Sequence, residues 1–287
     1  MADKPSRKLV FTDLDGTLLD HHSYSYLDAM PCLRALTRIG IPVIPATSKT
    51  RAEIEQLRRE LNNPHPFIVE NGAGVFIPKG YFDRQPEETR QCGDYWLHEM
   101  APARARWLKV IDALEQEYGG EFKAFFRLGA KGIMQATGLP ENRARQANQR
   151  EYTEPVQWLG RESRKLRFVE QLRAAGASVQ QGGRFLSVGG DTDKGRALVW
   201  LRHCYQQQKP VEHIDDLAAG DSANDCPMLE VAGTALLVRS PIQKFPTLQR
   251  STGVIRSRAT GPAGWAEGVD TWLQQLTQGR FEAGHRE

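Results

Sequence analysis

The segment KLVFTDLDGT, Lys8 to Thr17, runs through continuous apolar residues into two aspartates separated by one leucine, Asp13 and Asp15, and then Gly16 and Thr17. Such a run has no polar face to offer solvent. It reads as a short strand of a parallel sheet, covered on both sides and ending in a turn. A helix is predicted next, with Leu27, Met30, Leu33, Leu36 and Ile39 on one stripe and Gly40 at its end. IPVIPAT supplies a second buried strand, and Thr50 and Glu53 have capping-box spacing ahead of a helix carrying Ile54, Leu57 and Leu61. HPFIVENGAGVFI gives a third strand, a glycine-containing turn and a hairpin partner. The order strand, helix, strand, helix, strand argues for an α/β fold with a doubly wound, parallel-sheet, Rossmann-like core. Its ligands would bind at the carboxyl ends of the strands, where Asp13 and Thr47 fall.

A chain of 287 residues, 40% hydrophobic and 25% charged, has room for that core and a second domain. Beyond the hairpin the texture changes. Helices such as 103–118 and 163–175 alternate with short strand-like pieces, FKAFFRL, PVQWL and GGRFLSVGG, which reads as an inserted α+β cap. The alternating pattern then returns with a helix over 194–207, a strand in DDLAAGD, a helix over 224–231 and a strand in TALLV. The expected division is core over 1–83, cap over 84–188 and core again over 189–287, with TQGRFEAGHRE as a frayed tail.

Acidic turns recur at strand ends: Asp13 and Asp15 in the first, Asp221 and Asp225 in AAGDSANDCPML. Carboxylates gathered at one sheet edge repel each other unless a hard cation lies among them, and an oxygen-rich set suits Mg²⁺, which in turn implies a phosphate. Thr47 offers a hydroxyl to a phosphoryl oxygen, with Ser48 as the competing candidate. Lys194, at a helix start, offers a cation for developing charge. Nucleophile, metal ligands, hydroxyl and cation make up the set that phosphoryl transfer requires. A carboxylate nucleophile divides hydrolysis into formation and breakdown of an aspartyl-phosphate, and a second carboxyl can move the proton.

The four cysteines are scattered, with no C-x-x-C and no histidine at zinc-ligand spacing. MADKPSRK lacks an apolar leader region and no window approaches eighteen apolar residues, so the expectation is a reduced cytoplasmic protein without a membrane partner. The 38 Lys and Arg against 35 Asp and Glu give a net charge of +3 without a like-charge block, which does not suit a nucleic-acid surface. A small anionic substrate fits better.

DLDGT, the Thr of ATSKT, the Lys of DKGRAL and GDSAND follow the order of elements found in the haloacid dehalogenase superfamily of phosphatases, and the chain resembles its members with a large α/β cap. DLDGTLLDHHSYSY, SKT, VENGA, QGGRF and GPAGW resemble, more narrowly, the mannosyl-3-phosphoglycerate phosphatase family. Thr47 stands where that pattern has a serine, and Ala223 replaces a proline; neither alters a charge. The resemblance implies Asp13 as nucleophile, Asp15 as general acid/base, and Thr47 and Lys194 on the phosphoryl group. It also implies Mg²⁺ held by the Asp13 carboxylate, the Asp15 backbone carbonyl and Asp221, with Asp225 acting mostly through water.

The implied substrate is a phosphorylated sugar and glycerate compound, with mannosyl-3-phosphoglycerate giving mannosylglycerate. Another sugar-phosphate phosphatase, a phosphomutase or a non-catalytic phosphometabolite-binding module stays open, although intact Asp13 and Asp15 argue against the last. A glycerate carboxylate and a sugar call for an arginine fork and polar groups. Candidates for substrate contact are Lys49, Arg161 with Ser163, and Arg184. Glu70 and Asn71 either face the cap across the cleft or belong to a hairpin turn at Asn71-Gly72. His21 and His22 read as loop residues near the site entrance.

Overall fold

The computed structural model describes residues 6–182, 184–208 and 213–283. The first part of the chain forms β1 (Ser6–Thr12), α1 (Met30–Arg38), β2 (Val43–Pro45), α2 (Arg51–Glu60) and β3 (Phe67–Val69). The last four residues of β1, Leu9 to Thr12, are all buried, and its apolar side chains feed two different cores. Val10 points into the cluster that holds Leu36, Trp265 and Trp272, while Leu9 and Phe11 point into the one that holds Leu198 and Leu201. This is the two-sided burial that a continuous apolar strand requires. The capping box opening α2 forms: Glu53 N–H donates to Thr50 Oγ1 at 3.3 Å, and Thr50 N–H donates to Glu53 Oε2 at 2.9 Å.

From β3 the chain turns into β4 (Gly74–Pro78) and continues through β5 (Arg90–Cys92) and β6 (Tyr95–Glu99). These build an antiparallel sheet in the order β3-β4-β6-β5, joined to the parallel core by a single bridge between Ala46 and Ile68. Residues 95–99, which lie past the expected boundary at 84, are thus hydrogen-bonded to β4, and residues 90–92 pair with them in turn.

A third sheet follows from α3 (Arg104–Tyr118), β7 (Phe122–Ala124), α4 (Phe125–Thr137), α5 (Glu141–Ala147), β8 (Glu154–Trp158), α6 (Glu162–Ala174), β9 (Ser178–Gly182) and β10 (Phe185–Gly189). Its order is β7-β8-β10-β9, and Trp107, Ile111, Phe168 and Leu172 of the helices pack with Val156, Leu186 and Val188 of the strands. FKAFFRL departs from expectation, because only Phe122–Ala124 is strand and α4 begins at Phe125. The cap of that helix is not local: Phe126 N–H donates to Glu154 Oε1 of the neighbouring strand at 2.9 Å. Its apolar spacing, Phe125, Leu128 and Ile133, serves a small cluster shared with Phe185.

The chain returns through α7 (Lys194–Gln208), β11 (His213–Gly220), α8 (Cys226–Val231), β12 (Thr234–Arg239), β13 (Val254–Thr260) and α9 (Gly261–Ala283). The parallel sheet has the order β13-β12-β11-β1-β2. The expected frayed tail is helix as far as Ala283, with residues 284–287 outside the described residues; Trp265, Val269 and Trp272, three and four residues apart, anchor α9 under the sheet. Among the described residues no helix is long and apolar enough to cross a membrane.

One turn ties these parts together. Glu70, Asn71 and Gly72 all have positive φ, at 48°, 58° and 93°. A Cβ on Gly72 would lie 2.1 Å from the Asp193 carbonyl oxygen, so the turn and the start of α7 approach as closely as glycine permits. Gly72→Ala is therefore expected to lose roughly 2–4 kcal/mol of stability, from strain and overlap together. Urea unfolding measures it, and an unchanged midpoint would show that the junction relaxes without cost.

Candidate active site

β1 and β11 are neighbours in register, with Thr12 opposite Ala219, so the residues that follow each strand, Asp13 and Asp221, emerge side by side. The loop after β1 folds back on itself: Thr17 and Leu19 N–H both donate to the Leu14 carbonyl oxygen, at 3.1 and 2.8 Å. Gly16, at φ 84°, brings this loop so near Asp221 that a Cβ there would sit 2.8 Å from Oδ2. Thr17 Oγ1 donates to Asp221 Oδ1 at 3.3 Å.

Oxygens of Asp13, Asp221 and Asp225 lie within 4.8 Å of one another, and all three residues are buried. Lys194, at 0% exposure, places Nζ 2.6 Å from Asp13 Oδ1 and 2.6 Å from Asp225 Oδ1. Burial works against its charge, yet the two carboxylates hold its pKa above that of an ordinary lysine. Burial, reinforced by Asp225 and opposed by Lys194, pushes Asp13 up to about 8. Burial and Asp225 push Asp221 to about 6. Three carboxylates thus share one ammonium in a medium that screens poorly.

A hard cation fits this donor set, and the available oxygens show where. Asp225 Oδ1 is held by Lys194, and Oδ2 accepts from the N–H groups of Asp221 and Ser222 at 3.0 Å each. Its role within the protein is to fix Lys194 and the 221–222 backbone. Asp221 has only longer bonds, from Thr17 and from Gln243 Nε2 at 3.2 Å, and with Asp13 it offers the oxygens that a metal can recruit.

Thr47 is buried at the end of β2, and Lys49 N–H donates to its Oγ1 at 3.2 Å. Lys49 reaches across to Asp15, Nζ to Oδ2 2.8 Å, with Glu53 Oε1 at 3.8 Å. Burial again opposes the charge, and Asp15 and Glu53 override it, so the Lys49 pKa is raised. Asp15 Oδ1 is buried without a hydrogen-bond partner among the described residues. The second carboxyl is thus held by one oxygen and free at the other.

Glu70 answers the choice left open by the sequence. It belongs to the turn and also grips the cap: its carboxylate accepts from Glu151 N–H at 2.7 Å, Tyr152 N–H at 3.3 Å, Thr153 N–H at 2.8 Å and Thr153 Oγ1 at 2.5 Å. Its own N–H donates to the Lys49 carbonyl at 3.0 Å, and Asn71 N–H to that of Thr47 at 2.9 Å. Asn71 Oδ1 accepts from Asn224 Nδ2 at 3.2 Å. Arg150 of the cap stands 3.4 Å from Glu70 and donates to the Ser48 carbonyl oxygen at 2.8 Å.

Arg150 and Gln243 carried no signal in the sequence, because neither belongs to a motif, and Thr17, although part of DLDGT, had no assigned role; each gains its partner only by folding. Two expected contacts lie elsewhere. Arg161 is exposed at the start of α6, and Arg184 is exposed and bonded to the Thr137 carbonyl at 3.2 Å. No described contact joins either to the carboxylate cluster.

Residues 10–88 match the family model described as haloacid dehalogenase-like hydrolase, and the chain belongs to this family. More particularly, it is 37% identical over 263 residues, covering 92% of this chain and 96% of the relative, to the protein of Methanococcoides burtonii named glucosyl-3-phosphoglycerate/mannosyl-3-phosphoglycerate phosphatase. It is 35% identical over 231 residues to the mannosyl-3-phosphoglycerate phosphatase of Pyrococcus furiosus, covering 80% of this chain and 90% of that one. A sucrose-phosphatase from Synechocystis, solved with sucrose and phosphate, shares the fold with a TM-score of 0.57 at 15% identity, covering 93% of this chain and 98% of that one.

Lys194→Met would leave Asp13 and Asp225 facing each other in the interior with no ammonium between them. A loss of roughly 3–5 kcal/mol is expected, read by denaturation in metal-free buffer at neutral pH. Parental stability in this variant would mean that the carboxylates adjust without the lysine.

Proposed function

We propose that the chain is a Mg²⁺-dependent phosphomonoesterase that works through an aspartyl-phosphate and takes mannosyl-3-phosphoglycerate to mannosylglycerate and phosphate. The observation that carries the reading is the pairing of two carboxylates with two different lysines: Asp13 with buried Lys194, and Asp15 with Lys49. One carboxylate is fixed to attack and the other is placed to move a proton. Full-length similarity to glycosyl-3-phosphoglycerate phosphatases supports the substrate.

In this mechanism an Asp13 oxygen attacks phosphorus and the bond to the ester oxygen breaks. Asp15 gives its proton to that oxygen, and Lys49 stabilises the carboxylate left behind. Asp15 then takes a proton from water, which attacks the same phosphorus and frees phosphate and Asp13. Lys194 holds Asp13 in place and offsets charge on the phosphoryl oxygens, and Thr47 Oγ1 donates to one of them. Asp13, Asp221 and the Asp15 backbone carbonyl would hold Mg²⁺, with Asp225 behind them. The ion supplies charge neutralisation to the phosphoryl group. Ser48 borders the site through its backbone, while Arg161 and Arg184 have no part in the reaction as drawn.

Asp13→Asn is expected to abolish phosphate release. Asp15→Asn should still bind Mg²⁺, because only its backbone is a ligand, and lose about 10²- to 10⁴-fold in kcat. Retained turnover in the first variant, or near-parental rates in the second, would overturn the respective role. Chelation should stop phosphate release and added Mg²⁺ restore it. Across a panel of sugar phosphates and glycosyl-phosphoglycerates the latter should be preferred, and equal weak turnover of all would sink the substrate assignment.

A further inference from the structure

The cap meets the core mainly along α5 and the residues that follow it, and the basic side chains of that junction are nearly all engaged. Arg51 pairs with Glu151 at 2.7 Å and Glu55 at 3.3 Å, Arg104 with Glu154 at 2.5 Å, Arg145 with Glu141 at 2.6 Å, and Arg150 with Glu70 at 3.4 Å. Lys49 is engaged by Asp15 and Glu53. Arg143, on α5, differs. It is half-buried, it has no carboxylate partner among the described residues, and its guanidinium lies 5.1 Å from the centre of the Tyr24 ring.

Tyr24 connects this arginine to the reacting groups. It sits in the loop that follows Asp13 and Asp15, at φ 57°, in a turn stapled by Asp20, whose Oδ1 accepts from Ser23 N–H at 2.8 Å and Ser23 Oγ at 2.7 Å. The Lys49 ammonium stands 5.2 Å from the same ring centre, so Tyr24 carries a cation from the core and one from the cap. Between them is a small cavity of about 60 Å³, whose lining includes Tyr24, Lys49, Arg143 and Gln146 and also the side chains of Glu53 and Glu60, the first of them 3.8 Å from Lys49 Nζ. Gln146 is fixed there, its carbonyl accepting from Thr50 Oγ1 at 3.0 Å and its Nε2 donating to Gln56 Oε1 at 2.8 Å.

The geometry points to Arg143 as the residue that recognises a carboxylate on the leaving group. This rests on the phosphomonoesterase reading above and adds where the second negative charge of the ester goes. Lys49 touches Asp15, the group that protonates the leaving oxygen, and Arg143 lies one aromatic ring farther out. A carboxylate carried a few bonds from the ester oxygen would extend from the first cation toward the second. An arginine fork matches a carboxylate through two parallel N–H bonds, and a ring beneath it keeps it flat and partly stripped of water. Lys49, already held by two carboxylates of the protein, is the weaker candidate for the same task.

The test is steady-state kinetics of the full-length protein, Arg143→Ala and Arg143→Lys with two esters, mannosyl-3-phosphoglycerate and a disaccharide phosphate without a carboxylate, sucrose 6-phosphate. The preference for the first ester, as a ratio of kcat/KM values, should fall roughly 10- to 100-fold in Arg143→Ala. The loss should lie mainly in KM, with partial recovery in Arg143→Lys. Equal losses on both esters, or a preserved preference, would overturn the assignment while leaving the phosphomonoesterase reading intact. A parent that hydrolyses the carboxylate-free ester as readily as the other would overturn both the proposed substrate and this role for Arg143.

Discussion

The ammonium of Lys194, enclosed between Asp13 and Asp225, is the contact on which the rest of the site depends. A lysine with no exposed surface is tolerated only if its charge is answered on the spot, and here it is answered twice. The arrangement locks three separate stretches of chain to a common point: the end of β1, the start of α7 and the loop after β11. Because Asp225 also accepts the N–H groups of Asp221 and Ser222, fixing the lysine fixes the path of that loop, and with it the direction of the Asp221 carboxylate. The remaining imbalance of charge is what makes the cluster receptive to a cation.

Around that point the core was largely readable in sequence. Continuous apolar strands, the Thr50 and Glu53 capping box and the hairpin at Asn71-Gly72 are local patterns, and each formed where its residues stand. Asp13, Thr47, Asp221 and Lys194 were visible because strand ends and helix starts are positions that a pattern can mark. What escaped notice depended on distant partners. The start of α4 is capped by a glutamate from β8, Arg150 finds Ser48 and Glu70 only across the domain junction, and Gln243 reaches Asp221 from a loop without a motif. Arginines illustrate the limit well: glycine-flanked Arg184 looked suited to a ligand, whereas Arg143, in a stretch with no special composition, is the one brought to Tyr24.

Many of the contacts that join the catalytic loops to one another and to the cap converge on one turn. The turn at residues 70–72 uses its backbone to hold Thr47 and Lys49, its asparagine to hold Asn224, its glycine to admit the start of α7, and its glutamate to hold residues 151–153. Strain in the two consecutive non-glycine residues at positive φ, Glu70 and Asn71, is offset by these contacts.

The buried Glu70 carboxylate has one more consequence. Its acceptors are filled by three backbone N–H groups and a hydroxyl of the cap, so lifting the cap from this position strips a buried carboxyl group of its donors inside the protein. Only incoming solvent can replace them at comparable free energy. Wetting of the joint and displacement of the cap are therefore a single event, and a dry junction is a shut one.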